Sequence, residues 1–197
     1  MNQPAKQPTN YSALSTLVIV FFFWGFIAAS NGIFIPFCKS HFKLNQFESQ
    51  LIDFAFYAAY FVGSLILFLI SSIGKIDILN KIGYRRGIIW GLLISVGGAL
   101  LMIPAVNSGS YPFILGALFV IALGFSLQQT AAQPFAIMLG DPSTGSHRLN
   151  LGGSVNSFGT TLGPLIVSFA LFGSIKEGAS ATADISQIKT LYLIVAG

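Results

Sequence analysis

Charge is the scarcest property of this sequence. Only 8% of its 197 residues are Asp, Glu, Lys or Arg, while 54% are apolar; an ordinary soluble domain carries about 25% charged residues. That balance excludes a water-soluble globule. The single cysteine, Cys38, cannot form an intramolecular disulfide. With no CxxC pair or Cys/His cluster, a structural zinc or a redox centre has no ligands. Cys38 reads as an ordinary thiol at a helix end. GxSxG, HExxH and paired intramembrane carboxylates are also missing, so an intramembrane enzyme would lack both nucleophile and metal. No catalytic residue, metal or cofactor is expected. The net charge of +4 is explained by loop cations that orient a membrane chain and meet anionic lipid, so nucleic acid is not an expected partner.

What is present is five apolar stretches, 12–37, 50–74, 87–107, 111–139 and 150–174. Each is long enough to cross about 30 Å of hydrocarbon as a helix. Asp53 is the one charged residue inside them. The expected protein is an all-α integral membrane protein, with a cytoplasmic leader over 1–11 and a transmembrane half-domain over 12–197. Small residues at Ala28, Ala29 and Ser30 imitate a signal-peptide cleavage site, but the apolar run continues to Phe37 and is too long for one. A sixth run, 190–197 (TLYLIVAG), breaks off after eight residues. At about 1.5 Å per residue it reaches about 12 Å, so the chain is expected to be part of a longer protein or to end in an unfinished span. Lys and Arg set the orientation. Lys75, Lys81, Arg85 and Arg86 share one short loop, with Lys6 and Arg148 on the same side; Lys39, Lys43, Lys176 and Lys189 lie opposite. The bias places the N-terminus in the cytoplasm. His41, His147 and Arg148 fall in the expected loops.

Polar side chains inside a bilayer face other helices or a wet cavity. Trp24, Ala28 and Asn31 form one stripe on the first helix, and Asp53, Tyr57, Tyr60 and Ser64 another on the second. The fourth carries Ala122, Ser126, Gln129 and Gln133 on one face, with Gln128 about 100° away. The fifth has Gly152, Asn156, Gly159 and Gly163 on one face and Asn150, Ser154, Ser157 and Thr161 on an adjoining one. Amides and hydroxyls both donate and accept hydrogen bonds, and an aromatic face can lie against the C–H side of a pyranose. The mixture suits a neutral polyhydroxylated solute rather than an ion or a peptide. Each amide has a second reading as a bond between helices. Gln129 with Gln133 favours a pathway, and Gly159 with Gly163 favours close helix packing. Asp53 reads either as a helix-start cap or as a titratable group for ion coupling.

The segments FFFWGFIAASNGIFIPFCKSHF, QLIDFAFYAAYFVGSL, FSLQQTAAQPFAIMLG and HRLNLGGSVNSFGTTLGP resemble successive blocks of the fucose and glucose/galactose permeases, sugar porters of the major facilitator superfamily. The loop NKIGYRRG resembles the superfamily's basic loop, with Gly83 for a tight turn and Lys81, Arg85 and Arg86 to meet helix C-termini or lipid phosphates. The resemblance implies a carrier of two six-helix halves with a sugar bound between them, this chain supplying the N-terminal half and its partner being the C-terminal half. Asn31, Gln129, Gln133, Asn156, Trp24 and Tyr57 are the expected sugar contacts, Asp53 the ion-coupling candidate, and Gly83, Arg85 and Arg86 the conformational loop. Proton-coupled fucose relatives carry acids where this sequence has Gly32 and Gln129, so the fucose-type proton relay has no chemical basis at those two positions. The alternative function is a truncated, transport-inactive membrane protein, at most an interaction partner or a homodimerising half.

Overall fold

A computed structural model describes residues 7–74 and 77–172, with side chains through residue 170. Six α-helices occur among the described residues: α1 Tyr11–His41, α2 Gln46–Gly74, α3 Ile78–Ile82, α4 Tyr84–Asn107, α5 Tyr111–Met138 and α6 Gly145–Phe172, with a 3-10 turn at Pro142–Thr144. The expected sixth run, 190–197, and the segment 175–189 lie outside the described residues.

The helices start and stop where side chains satisfy their terminal N–H groups. Asn10 caps α1 by accepting from the Ala13 N–H, and its own N–H donates to the Leu139 carbonyl at 2.8 Å. The last residues of the expected leader are therefore docked against the end of α5. Asn45 and Glu48 form a reciprocal capping box at the start of α2, each side chain accepting from the other's N–H at 2.8 and 2.9 Å. Asp77 caps the short α3. Gly83, at φ +85°, makes the break into α4 that a residue with a Cβ would resist.

Four helices, α1, α2, α4 and α5, are long and apolar enough to cross a membrane. The expected span 150–174 falls on α6, apart from its last two residues, which lie outside the described ones. α6 has 28 residues, enough to cross, but Asn150, Ser154, Asn156, Ser157, Thr160 and Thr161 make it more polar than the others. Two corrections concern loops. His41 is the last residue of α1 and is stacked on Phe37, and His147 and Arg148 belong to α6. Arg148 is buried. Its guanidinium donates to the carbonyls of Ala136, Ile137 and Asp141 and to Thr144 Oγ1 at 2.6–2.9 Å, satisfying carbonyls that the end of α5 would otherwise leave bare. Arg85 and Arg86 sit exposed in the first turn of α4, not at a helix C-terminus. There the dipole of α4 opposes a cation, while the end of α3 at Ile82 lies three and four residues before them.

The helices pack most extensively as two pairs, α4 on α5 and α1 on α6, with α2 lying along α5. Both pairs are drawn together by glycine. A Cβ at Gly91 would come within 2.7 Å of the Gly124 carbonyl, and one at Gly163 within 3.1 Å of Phe26 Cα. The small-xxx-small contact expected at Gly159 and Gly163 is thus the seam between α1 and α6. Phe47, Phe54, Phe61 and Phe68 run along α2 at seven-residue intervals and are all largely exposed.

Candidate functional site

The polar residues divide into those that hydrogen-bond helix to helix and those that do not. Three of the expected sugar contacts are in the first group. Trp24 is buried, and its indole N–H donates to Gln128 Oε1 at 3.0 Å; Gln128 Nε2 donates to Ser95 Oγ at 3.0 Å, and Ser95 donates to the Ile121 carbonyl at 3.0 Å. That relay ties α1, α5 and α4 together. Asn156 Nδ2 donates to the Phe21 carbonyl at 2.9 Å, inside the seam of α1 and α6. Asn31, buried in α1, donates through Nδ2 to Asp53 Oδ1 of α2 at 3.3 Å. Asp53 is therefore half-buried beside an amide and not a cap at the helix start.

Gln129 and Gln133 are in the second group. Neither side-chain amide has a hydrogen-bond partner among the described residues. One helical turn apart on α5, they open into a cavity of about 350 Å³ between α2 and α5, lined also by Tyr60, Ser64, Ser126 and Thr130. The hydroxyls of the wall are oriented: Ser126 donates to the Tyr60 carbonyl at 3.2 Å, so Ser64 donates to Ser126 Oγ at 3.1 Å, and Thr130 donates to the Ser126 carbonyl at 2.8 Å. Ser64 and Thr130 keep lone pairs for an incoming donor. Pro134, also in the wall, has no N–H to give the Thr130 carbonyl, which frees a backbone acceptor at the same place. Unpaired amides are costly in hydrocarbon. This cavity gives them water or a solute.

Asn31 is bonded to Asp53 and Asn156 to the Phe21 carbonyl, while Gln129 opens into this cavity. Among the expected contacts only Gln129 and Gln133 line this cavity; Trp24, Asn31 and Asn156 are bonded elsewhere, and Tyr57 is 62% exposed on α2. Tyr60 completes the site as its aromatic wall. Sequence reasoning set Gln128 apart from the Gln129 face without giving it a role, and did not single out Ser95. The signal was the small residues on their faces: Gly124 lies one turn before Gln128, and Gly91 one turn before Ser95, so both polar groups follow the glycines into the tightest helix contact.

No protein-family model matches the chain. Over 188 residues, 95% of its length, it is 39% identical to a glucose/galactose transporter of Brucella abortus, of which it covers 43%. It is 36% identical over 185 residues to the L-fucose-proton symporter of Escherichia coli K12, of which it covers 40%. In three dimensions it resembles the major facilitator superfamily transporter FucP, solved in the outward conformation, with a TM-score of 0.70, 28% identity, and coverage of 93% of this chain and 46% of that one. The chain thus spans less than half the length of the curated relatives it matches. In sequence and in fold it is the counterpart of the N-terminal half of the fucose and glucose/galactose permease-like sugar porters of the major facilitator superfamily.

Proposed function

We propose that this chain forms the N-terminal half of a carrier that moves a hexose or deoxyhexose across the bacterial inner membrane by alternating access, its N-terminus in the cytoplasm. The observation that carries the proposal is the pair of unpaired amides, Gln129 and Gln133, in a cavity of about 350 Å³, within the range of small-molecule sites. Each amide offers two N–H donors and a carbonyl acceptor, the combination that a sugar hydroxyl, itself donor and acceptor, can satisfy in either sense. The Tyr60 ring supplies an apolar face for the C–H side of the pyranose. The second half would supply the opposite wall, and rocking of one half against the other would expose the sugar to each side in turn.

Asp53, steadied by Asn31, is the proposed ion-coupling group, and the exposed Tyr57 a proposed contact on the approach to the cavity. Gly83, Arg85 and Arg86 form the proposed conformational loop at the lipid surface. The test is counterflow. The full-length carrier containing this chain, reconstituted in liposomes preloaded with unlabelled D-galactose or L-fucose, is expected to accumulate the labelled sugar transiently. Liposomes that behave like protein-free controls with every hexose and deoxyhexose offered would overturn the proposal.

A further inference from the structure

A second opening, of about 340 Å³, lies between α2, α3, α4 and α5 on the α3 side of the Gln129 cavity. The two share Ser64, Thr130 and Pro134 in their linings and so lie side by side along α2 and α5. Along α2 the far cavity reaches Ser71, seven residues beyond Ser64, or about 10 Å at 1.5 Å per residue. Its end is formed by Asp77 and Tyr84.

The lining is mixed, with Leu67, Phe68, Ile78 and Leu79 beside the polar Ser71, Asp77 and Tyr84. The Ser71 hydroxyl has no hydrogen-bond partner among the described residues. Asp77 accepts from the Asn80 N–H at 3.1 Å and from Asn80 Nδ2 at 2.7 Å, one on each oxygen, and Tyr84 donates to Asn80 Oδ1 at 2.9 Å. The carboxylate oxygens and the phenolic oxygen keep further acceptor capacity. At the shared lining Ser64 and Thr130 have their protons committed to Ser126, so both present acceptors toward the cavities. Phe68 adds a largely exposed ring. A hydrocarbon tail would leave the Ser71 hydroxyl without a partner, and an anionic solute would meet Asp77.

We propose that the α3-side cavity is a second station for the same neutral polyhydroxylated solute, which passes from Gln129 to Ser71 along α2 and α5 before release at the α3 end. The proposal rests on the Gln129 cavity being the sugar site. A solute leaving the first cavity exchanges amide donors for the acceptors of Ser64 and Thr130, and then for Ser71 and Asp77, so its hydroxyls keep partners throughout a step of about 10 Å.

The test uses the full-length carrier in proteoliposomes with single-cysteine labelling; Cys38 is fully buried and stays silent. Saturating D-galactose or L-fucose is expected to slow maleimide labelling of both Gln129→Cys and Ser71→Cys at least three-fold. Ser71→Trp, which fills the far cavity, is expected to lower the maximal transport rate at least ten-fold while the sugar affinity measured at equilibrium stays within two-fold of wild type. Protection at Gln129→Cys with none at Ser71→Cys, or a wild-type rate in Ser71→Trp, overturns the second station and leaves the sugar site standing. No protection at either position removes the sugar site itself. Protection of Ser71→Cys by added phospholipid, with none by sugar, assigns the far cavity to lipid and likewise overturns the station.

Discussion

Gln128 and Gln129 are neighbours in sequence with opposite roles in the structure, and replacing each by leucine separates them. Gln128 holds two buried bonds, to the Trp24 indole and to Ser95 Oγ, both at 3.0 Å. Bonds between helices in a membrane contribute about 0.6 kcal/mol on average and about 1.7 kcal/mol at most. Leucine is close to glutamine in size, so Gln128→Leu removes both bonds with little change in volume, and it strands the buried Trp24 N–H, which costs about 1–3 kcal/mol. The expected loss of stability is about 1–3 kcal/mol. Gln129→Leu breaks no bond within the described chain, and its expected effect is within about 0.5 kcal/mol, as for substitutions away from buried networks. Equilibrium unfolding of the full-length carrier in mixed micelles measures both. Trp24→Phe removes the same donor, so Trp24→Phe and Gln128→Leu together are expected to cost less than the sum of the single changes. Equal stability of the two leucine variants, or additive losses in the double variant, would refute the division between structural and solute-facing amides.

Gly159→Val places methyl groups against the α1 backbone at Phe22 and Phe26 and is expected to lower stability in the same assay by about 1–3 kcal/mol, the usual cost of overpacking. Arg148→Leu takes away four hydrogen bonds at the end of α5 and is expected to destabilise by about 3 kcal/mol or more. Arg148→Lys is expected to recover only part of that, since a point-like ammonium cannot span the set of acceptors that a guanidinium fork reaches. With Gly32 and Gln129 in place of titratable acids, sugar entry into liposomes is expected without stoichiometric entry of protons. An internal pH indicator showing one proton per sugar, unchanged by Asp53→Asn, would contradict both that expectation and the coupling role proposed for Asp53.

The helical class and the site were legible in sequence to different depths. Length and apolarity marked α1, α2, α4 and α5 because a hydrocarbon-crossing helix has no cheaper composition. Gln129 and Gln133 were legible as a pair because an interval of four residues puts them on one helix face. The adjacent Gln128 was not, since a single helix does not say which of its two polar faces meets protein. Gly91 and Gly124 settle that only once α4 and α5 are laid together. Asn156 and Arg148 were less legible still. Their partners are backbone carbonyls, of Phe21 and of the end of α5, and a carbonyl leaves no trace in the amino-acid pattern. The segment around Asp141–Pro142 read as loop for an ordinary reason. It contains turn-forming residues, yet Asp141 accepts from the Ser143 N–H and starts the helical path at Pro142, seven residues before the first apolar residue, Leu149.

Equilibrium binding of D-galactose and L-fucose to the purified full-length carrier, compared between wild type, Gln128→Leu and Gln129→Ala, tests the sugar site most directly. Each hydrogen bond lost to a solute is worth about 0.5–1.5 kcal/mol, and an amide can make two. Gln129→Ala is expected to weaken binding of the preferred sugar about ten-fold in a protein that remains folded, while Gln128→Leu keeps the affinity near wild type despite its lower stability. Unchanged affinity in folded Gln129→Ala, with the loss falling on Gln128→Leu instead, would contradict the assignment of the free amides to the sugar.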